Sequence, residues 1–168
     1  MRVWLALFAC VTLFAGCAKN EIVHDSEVKC DSYKTYASAS FEVSGDMSEL
    51  VEKSAKKALT KTCYKKDDNA KLNMRVKVDS KQNLNTQEGF IKDKVDNTFS
   101  VNIVVIGQYP TDSGGLTTLT SKQNATLNLK AAPIADIGDK GELNDKEVAP
   151  FVEKNVQAAL NNLYKDVP

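Results

Sequence analysis

Histidine is nearly missing from this chain, and the single one, His24, stands alone. A base–nucleophile pair or a histidine-rich metal centre needs partners that one histidine cannot supply. Gly-x-Ser-x-Gly, His-Glu-x-x-His and glycine-rich phosphate loops are also absent. Their absence removes the common hydrolase, metalloprotease and nucleotide-binding signatures. There is no Cys-x-x-Cys pair, so the usual thiol redox motif is missing too. Charge of one sign is lacking as well: 22 basic residues balance 22 acidic ones. No global field draws the chain to nucleic acid, and no zinc finger or arginine-rich arm is present. Nor is there an apolar run of the roughly 20 residues that a bilayer-spanning helix needs. These gaps argue against an enzyme, a cofactor, a metal and a nucleic-acid partner.

What is present starts at the front. Arg2 precedes an uncharged apolar stretch, Val3 to Gly16, and polar Lys19, Asn20 and Glu21 follow closely. A basic start, a short apolar run and small residues before a polar segment read as a secretory signal. Within it, Leu13-Phe14-Ala15-Gly16-Cys17 resembles the bacterial lipobox, although Phe14 stands where an aliphatic residue is usual. The resemblance implies cleavage before Cys17, a diacylglycerol thioether on its sulfur and an acyl chain, palmitate for example, on the new amine. Each buried methylene contributes about 0.8 kcal/mol, so two or three chains make a stable anchor. Ala18, where an aspartate would favour the inner membrane, implies the outer membrane, facing the periplasm. The expected organisation is a signal peptide at 1–16, a lipidated tether at 17–32 and one α+β domain at 33–168.

With Cys10 removed and Cys17 lipidated, Cys30 and Cys63 remain. An even pair in an oxidising compartment reads as a disulfide. It would tie the start of the domain to the end of its first helix.

The hydrophobic pattern supplies the domain's elements. Tyr33 to Val43 alternates partly and reads as a strand ending at Ser44-Gly45. Asp46 with Glu49 has the form of a capping box. Met47, Leu50, Val51, Ala55, Ala58 and Leu59 then recur at helical spacing, with Ser54 and Thr62 on the same face. Leu72 to Val78 alternates as a strand with one covered side, Lys71 to Asp79 forming the wet one. Residues 80–97 give no firm element. Phe99 to Ile106, apolar on both sides, reads as the central strand. Tyr109 to Gly115 is a turn, and Leu116 to Ala132 is a further strand in which Leu116 and Leu119 break phase, suggesting a bulge. The last helix starts either at Asn144 with Glu147 or at Ala149-Pro150, and its stripe includes Val148, Val152, Val156, Leu160 and Leu163. The expected fold is a single antiparallel or mixed sheet of about four or five strands with two amphipathic helices on one face, in the order β-α-β-β-β-α.

Asp31-Ser32-Tyr33-Lys34-Thr35-Tyr36-Ala37, followed by a helix, an alternating strand and a closing helix near Pro168, resembles a broad class of small bacterial envelope lipoprotein domains. That resemblance brings no functional residues with it.

Candidate sites are few. Lys53, Lys56, Lys57 and Lys61 lie off the apolar stripe of the first helix. They form a candidate surface for anionic headgroups or an acidic partner, set against ordinary solvation of a wet face. Asp136, Asp139, Glu142 and Asp145 crowd the last loop, but their spacing is not that of the helix–loop–helix calcium motif. The expected role is a non-enzymatic binding, structural or assembly accessory. It would be held to the membrane by lipid and would contact an envelope protein, an assembly machine or the cell wall. The alternative is a carrier or sensor of a small apolar ligand or lipid, which requires an apolar cavity. Mass spectrometry of the mature chain from its native envelope is expected to show Cys17 as the first residue, carrying diacylglycerol. An unmodified or different first residue would rule the anchor out.

Overall fold

The structure is a computed structural model and describes residues 30–87, 94–131 and 143–168. The signal segment, Cys17, most of the tether with His24, Phe90-Ile91 and the acidic loop residues Asp136, Asp139 and Glu142 lie outside the described residues. In chain order the elements are β1 (Lys34–Tyr36), β2 (Ser38–Gly45), α1 (Ser48–Thr60), β3 (Tyr64–Lys66), β4 (Asn73–Gln87), β5 (Lys94–Pro110), β6 (Leu116–Ala131) and α2 (Asp145–Asp166).

Four strands form the main sheet in the order β2-β4-β5-β6. β2 and β4 are parallel, joined through α1, whereas β4, β5 and β6 form an antiparallel meander. The α+β class, the mixed sheet and the two helices on one face are those expected from the pattern. Period-two alternation explains why one face is covered. Met74, Val76 and Val78 of β4 and Phe99, Val101, Ile103 and Val105 of β5 are all buried. They pack in one core with Val51, Ala55, Ala58 and Leu59 of α1 and Val148, Val152, Val156, Ala159, Leu160 and Leu163 of α2. Burying a Val, Leu or Phe side chain contributes about 1.5–3 kcal/mol, so this layer is the main source of stability. Gly107 lies beneath close-packed leucines: a Cβ there would lie 3.2 Å from side-chain carbons of Leu163 and Leu72.

Several local expectations are corrected. The strand expected from Tyr33 to Val43 is two strands. β1 pairs with β3 in a separate two-stranded parallel sheet, and β2 pairs with β4. The chain changes neighbour at Ala37, whose N–H donates to Leu72 O at 2.8 Å. β3 is too short to leave a periodic signal. Residues 80–97, left without an element, hold the end of β4 and the start of β5, paired without a break from Asn73↔Gln108 to Gln87↔Lys94. No bulge interrupts β6. Its register with β5 runs evenly from Pro110↔Leu116 to Val95↔Ala131. Leu116 breaks phase because it points to the open face, where it is 71 % exposed.

Asp46 is not the N-cap of α1. Met47 occupies that position with φ 55° and makes no side-chain cap. The Asp46 carboxylate instead accepts from Gln82 N–H at 2.7 Å, and Ser80 Oγ donates to Asp46 O at 2.6 Å. The corner between β2 and α1 is therefore clamped onto β4 rather than capped locally. α2 starts as the first of its two readings has it. Asn144 Oδ1 accepts from Lys146 N–H at 2.9 Å, and Asn144 N–H donates to Glu147 Oε2 at 3.4 Å. Pro150 then lies inside the helix.

Gly45 makes the clamped corner achievable. Its φ is +94°, and a Cβ would lie 1.8 Å from the Ser80 carbonyl oxygen. Gly45→Ala is expected to cost at least about 2 kcal/mol, because both the left-handed backbone and the close approach disfavour a side chain. Equilibrium urea unfolding would show the transition moving to lower denaturant; an unchanged midpoint would contradict the clamp.

Candidate interaction surface

Two regions carry the chemistry of the surface. The first is the front of the domain. Cys30 and Cys63 are joined in a disulfide with a sequence separation of 33. Closing a loop of that size stabilises by roughly 3–4 kcal/mol in the chain-entropy picture. The bridge holds the segment before β1 against the turn after α1, where Lys34 N–H donates to Cys63 O at 3.0 Å. The same segment is tied to the end of α2. Ser32 Oγ and Tyr164 Oη lie 2.7 Å apart, the Lys34 ammonium sits 5.0 Å from the Tyr164 ring centre, and Lys34 Nζ donates to Val167 O. Both ends of the domain thus meet at one pole, next to the tether.

Tyr64 of β3 lies beneath this pole, 5 % exposed, with its ring edge-on to Tyr164 at 5.7 Å. Its hydroxyl has no hydrogen-bond partner among the described residues. Burial, and secondarily the neighbouring Tyr164 and Asp166, push its ionisation well above the ordinary tyrosine range.

The lysines of α1 are not a free cationic patch. Lys56 pairs with Glu52 at 2.6 Å. Lys57 and Lys61 both reach Glu153 of α2, at 2.7 and 3.2 Å, and Glu153 is itself buried. Two of the four candidate lysines therefore bind the helices together, because the tertiary packing sets an acidic residue of α2 opposite them. Lys53 lies on the same helix, exposed.

The second region was not visible as a site in the sequence: the open face of the sheet. The register lines up Ser44, Asp79, Asn102 and Asn124 across all four strands. Beside that row, Lys81, Ser100 and Thr126 form a second one. A concavity of about 750 Å³ opens here, bordered by Asp46, Asp79, Lys81, Asn102, Asn124 and Thr126 among others. Neighbouring side chains are already cross-linked by hydrogen bonds, Ser44 to Asp79 and Ser100 to Thr126. Further along, Glu42 bridges Arg75 at 3.3 Å and Lys77 at 2.9 Å. The hydrogen bond from Lys77 is the main reason its carboxyl ionises below the usual range. Alternation marked Arg75, Lys77 and Asp79 as wet, Lys81 fell in the stretch left without an element, and only strand pairing shows that these residues share a surface.

Among the described residues no group of three or more His, Cys, Asp or Glu side chains could hold a metal ion. No described helix is long and apolar enough to cross a membrane.

No protein-family model matches the chain, and no curated protein matches its sequence. Solved structures with a similar layout include a neuraminyllactose-binding hemagglutinin homolog from Helicobacter pylori, 11 % identical, with a TM-score of 0.43, covering 82 % of this chain and 88 % of that one. Another is a minor lipoprotein from Acinetobacter baumannii, 14 % identical, TM-score 0.35, covering 77 % and 90 %. A third is the rare lipoprotein B from Shewanella oneidensis, 10 % identical, TM-score 0.26, covering 76 % and 92 %.

Tyr64→Phe is expected to leave stability unchanged or slightly raised below pH 9, since it deletes a buried hydroxyl without a partner. The pH dependence has a definite sign. The folded state resists ionisation of Tyr64, whereas the unfolded chain ionises near pH 10. Stability from this residue is therefore complete below that pH and is lost as pH rises above it. Urea titrations of both forms between pH 8 and pH 11 should show a steeper alkaline loss in the natural protein. Equal slopes would contradict it.

Proposed function

We infer that the protein is a lipid-anchored envelope accessory that binds another envelope component through the open face of its sheet. The observation carrying this reading is the division of the sheet into two unlike faces. One is sealed by both helices over side chains that are fully buried, such as Val76, Phe99, Ile103 and Leu160. The other holds a broad, open concavity whose rim carries carboxylate, amide, hydroxyl and ammonium groups, while more of its exposed lining is apolar than polar. Such groups serve hydrogen-bonded recognition of a polar partner, protein or wall polymer, and need no catalytic constellation.

The front of the domain supports the anchored arrangement. A disulfide-held segment at Cys30 lies a short stretch of chain from Cys17, so a lipid there would suspend the domain by that pole. The proposed outer-membrane location and the thioether on Cys17 belong to this reading and rest on the lipobox resemblance. The alternative, carriage of a small apolar ligand, would require an apolar cavity beneath the helices. The described residues beneath the helices form one cluster of buried apolar side chains, and the concavity opens on the other face of the sheet.

Site-specific photo-crosslinking of the full lipidated chain in intact envelopes tests the proposal. A photoreactive residue at Asn102, in the middle of the open face, is expected to capture a distinct partner. The same group at Lys154, on the exposed side of α2, should not. Capture at Lys154 alone, or turnover of a substrate by the purified protein, would refute the reading.

A further inference from the structure

Residues 30–37 are attached to the domain differently from everything that follows them. None of them is buried. β1 pairs with β3 over three residues, in a sheet separate from the main one. The remaining ties are shallow: Ser32 to Tyr164 Oη, Tyr33 against the Lys65 ammonium at 3.8 Å, and Lys34 to the Tyr164 ring and Val167 O. Tyr36 reaches only the margin of the core. From Ser38 onward the attachment changes. β2 pairs with β4 from Ser38 to Gly45, and its Ala39, Phe41 and Val43 pack against the core. The two halves of the Cys30–Cys63 bridge therefore differ. Cys63 stands between Thr62 and Tyr64, both 5 % exposed, and Thr62 Oγ1 donates to Leu59 O at 2.7 Å. Cys30 belongs to a segment with no such footing. Segments with few buried contacts open at lower free energy than the core.

We propose that the Cys30–Cys63 bridge is a redox latch: its reduction releases residues 30–37 from the domain as a unit, leaves the main sheet and both helices folded, and so lengthens the tether. Cys63 is the fixed post and the segment from Cys30 to Ala37 is the arm. The hinge is Ala37, whose N–H donates to Leu72 O, immediately before the pairing of β2 begins. Both cysteines are half-buried, so a thiolate can reach the bridge. An external dithiol attacks one sulfur and resolves the mixed disulfide with its second thiol. It ends as a disulfide itself, having given two electrons and two protons, and Cys30 and Cys63 are left as thiols. Without the bridge a three-residue strand pair has little to hold it, since two-stranded sheets are marginal in water. The lengthening rests on the lipid anchor at Cys17 proposed above; the release does not. With the latch closed, the chain from Cys17 to Cys30 spans at most about 43–47 Å. With it open, the first fixed residue is Ser38 and the limit rises to about 70–75 Å.

Amide hydrogen exchange of the full lipidated chain, read residue by residue before and after reduction of the folded protein with a dithiol, tests the latch. The informative amides are Lys34 N–H, bonded to Cys63 O, and Asp67 N–H, bonded to Tyr36 O. Both are expected to exchange at least about tenfold faster after reduction. The amides of Val76, Ile103 and Val156, which lie in the core, should keep their protection. Reducing the protein after it has folded avoids the risk that a Cys30→Ser, Cys63→Ser variant fails to fold. Unchanged protection at Lys34 and Asp67 would overturn the proposal, because the non-covalent ties would then suffice. Loss of protection throughout the core would overturn it as well, because the bridge would then staple the whole domain. The lengthening is read in vesicles, as energy transfer from a fluorescent residue at Lys154 to headgroup acceptors. Transfer should fall on reduction. Unchanged transfer would overturn the lengthening, and the mass of the same sample, by showing diacylglycerol on Cys17 or none, separates that outcome from failure of the anchor.

Discussion

Burial of one sheet face under α1 and α2 governs most other features of this molecule. The alternating residues of β4 and β5 are covered on the helix side, which leaves most of their polar neighbours on the opposite side; Ser80 and Asn97 are the polar residues of these strands buried in phase with the core. That single constraint creates both the core and the open face. It also explains Glu153: a carboxylate at the boundary between the helices is tolerated because Lys57 and Lys61 close over it. Removing a partner from such a partly buried group costs more than the pair gains, which makes the lysines structural first.

The disulfide acts on a different part of the problem. β1 and β3 are three-residue strands in a two-stranded sheet, and a sheet of that size has little stability of its own. Cys30–Cys63 and the Lys34 contacts to Tyr164 and Val167 hold it in place. The pole at Cys30 is thereby held both covalently and by hydrogen bonds.

Local pattern alone settled the α+β class, the core stripes of both helices and the pairing of Cys30 with Cys63, because each depends on residue type and spacing within a short stretch or on simple cysteine arithmetic; it left two starts for α2, of which the structure has the one at Asn144. The same pattern misplaced the cap of α1 at Asp46, put a bulge in β6 and merged β1 with β2. In each case a residue distant in sequence decides: Gln82 and Ser80 hold Asp46, β5 fixes the register of β6, and β3 draws Lys34–Tyr36 away from the main sheet. The candidate site divides along the same line. Lysine spacing was legible on α1, but Glu153 of α2 takes up two of those charges. The row of Ser44, Asp79, Asn102 and Asn124 becomes a surface only when four strands are set side by side, since strand pairing, unlike helical periodicity, joins residues whose separation in the chain carries no signal.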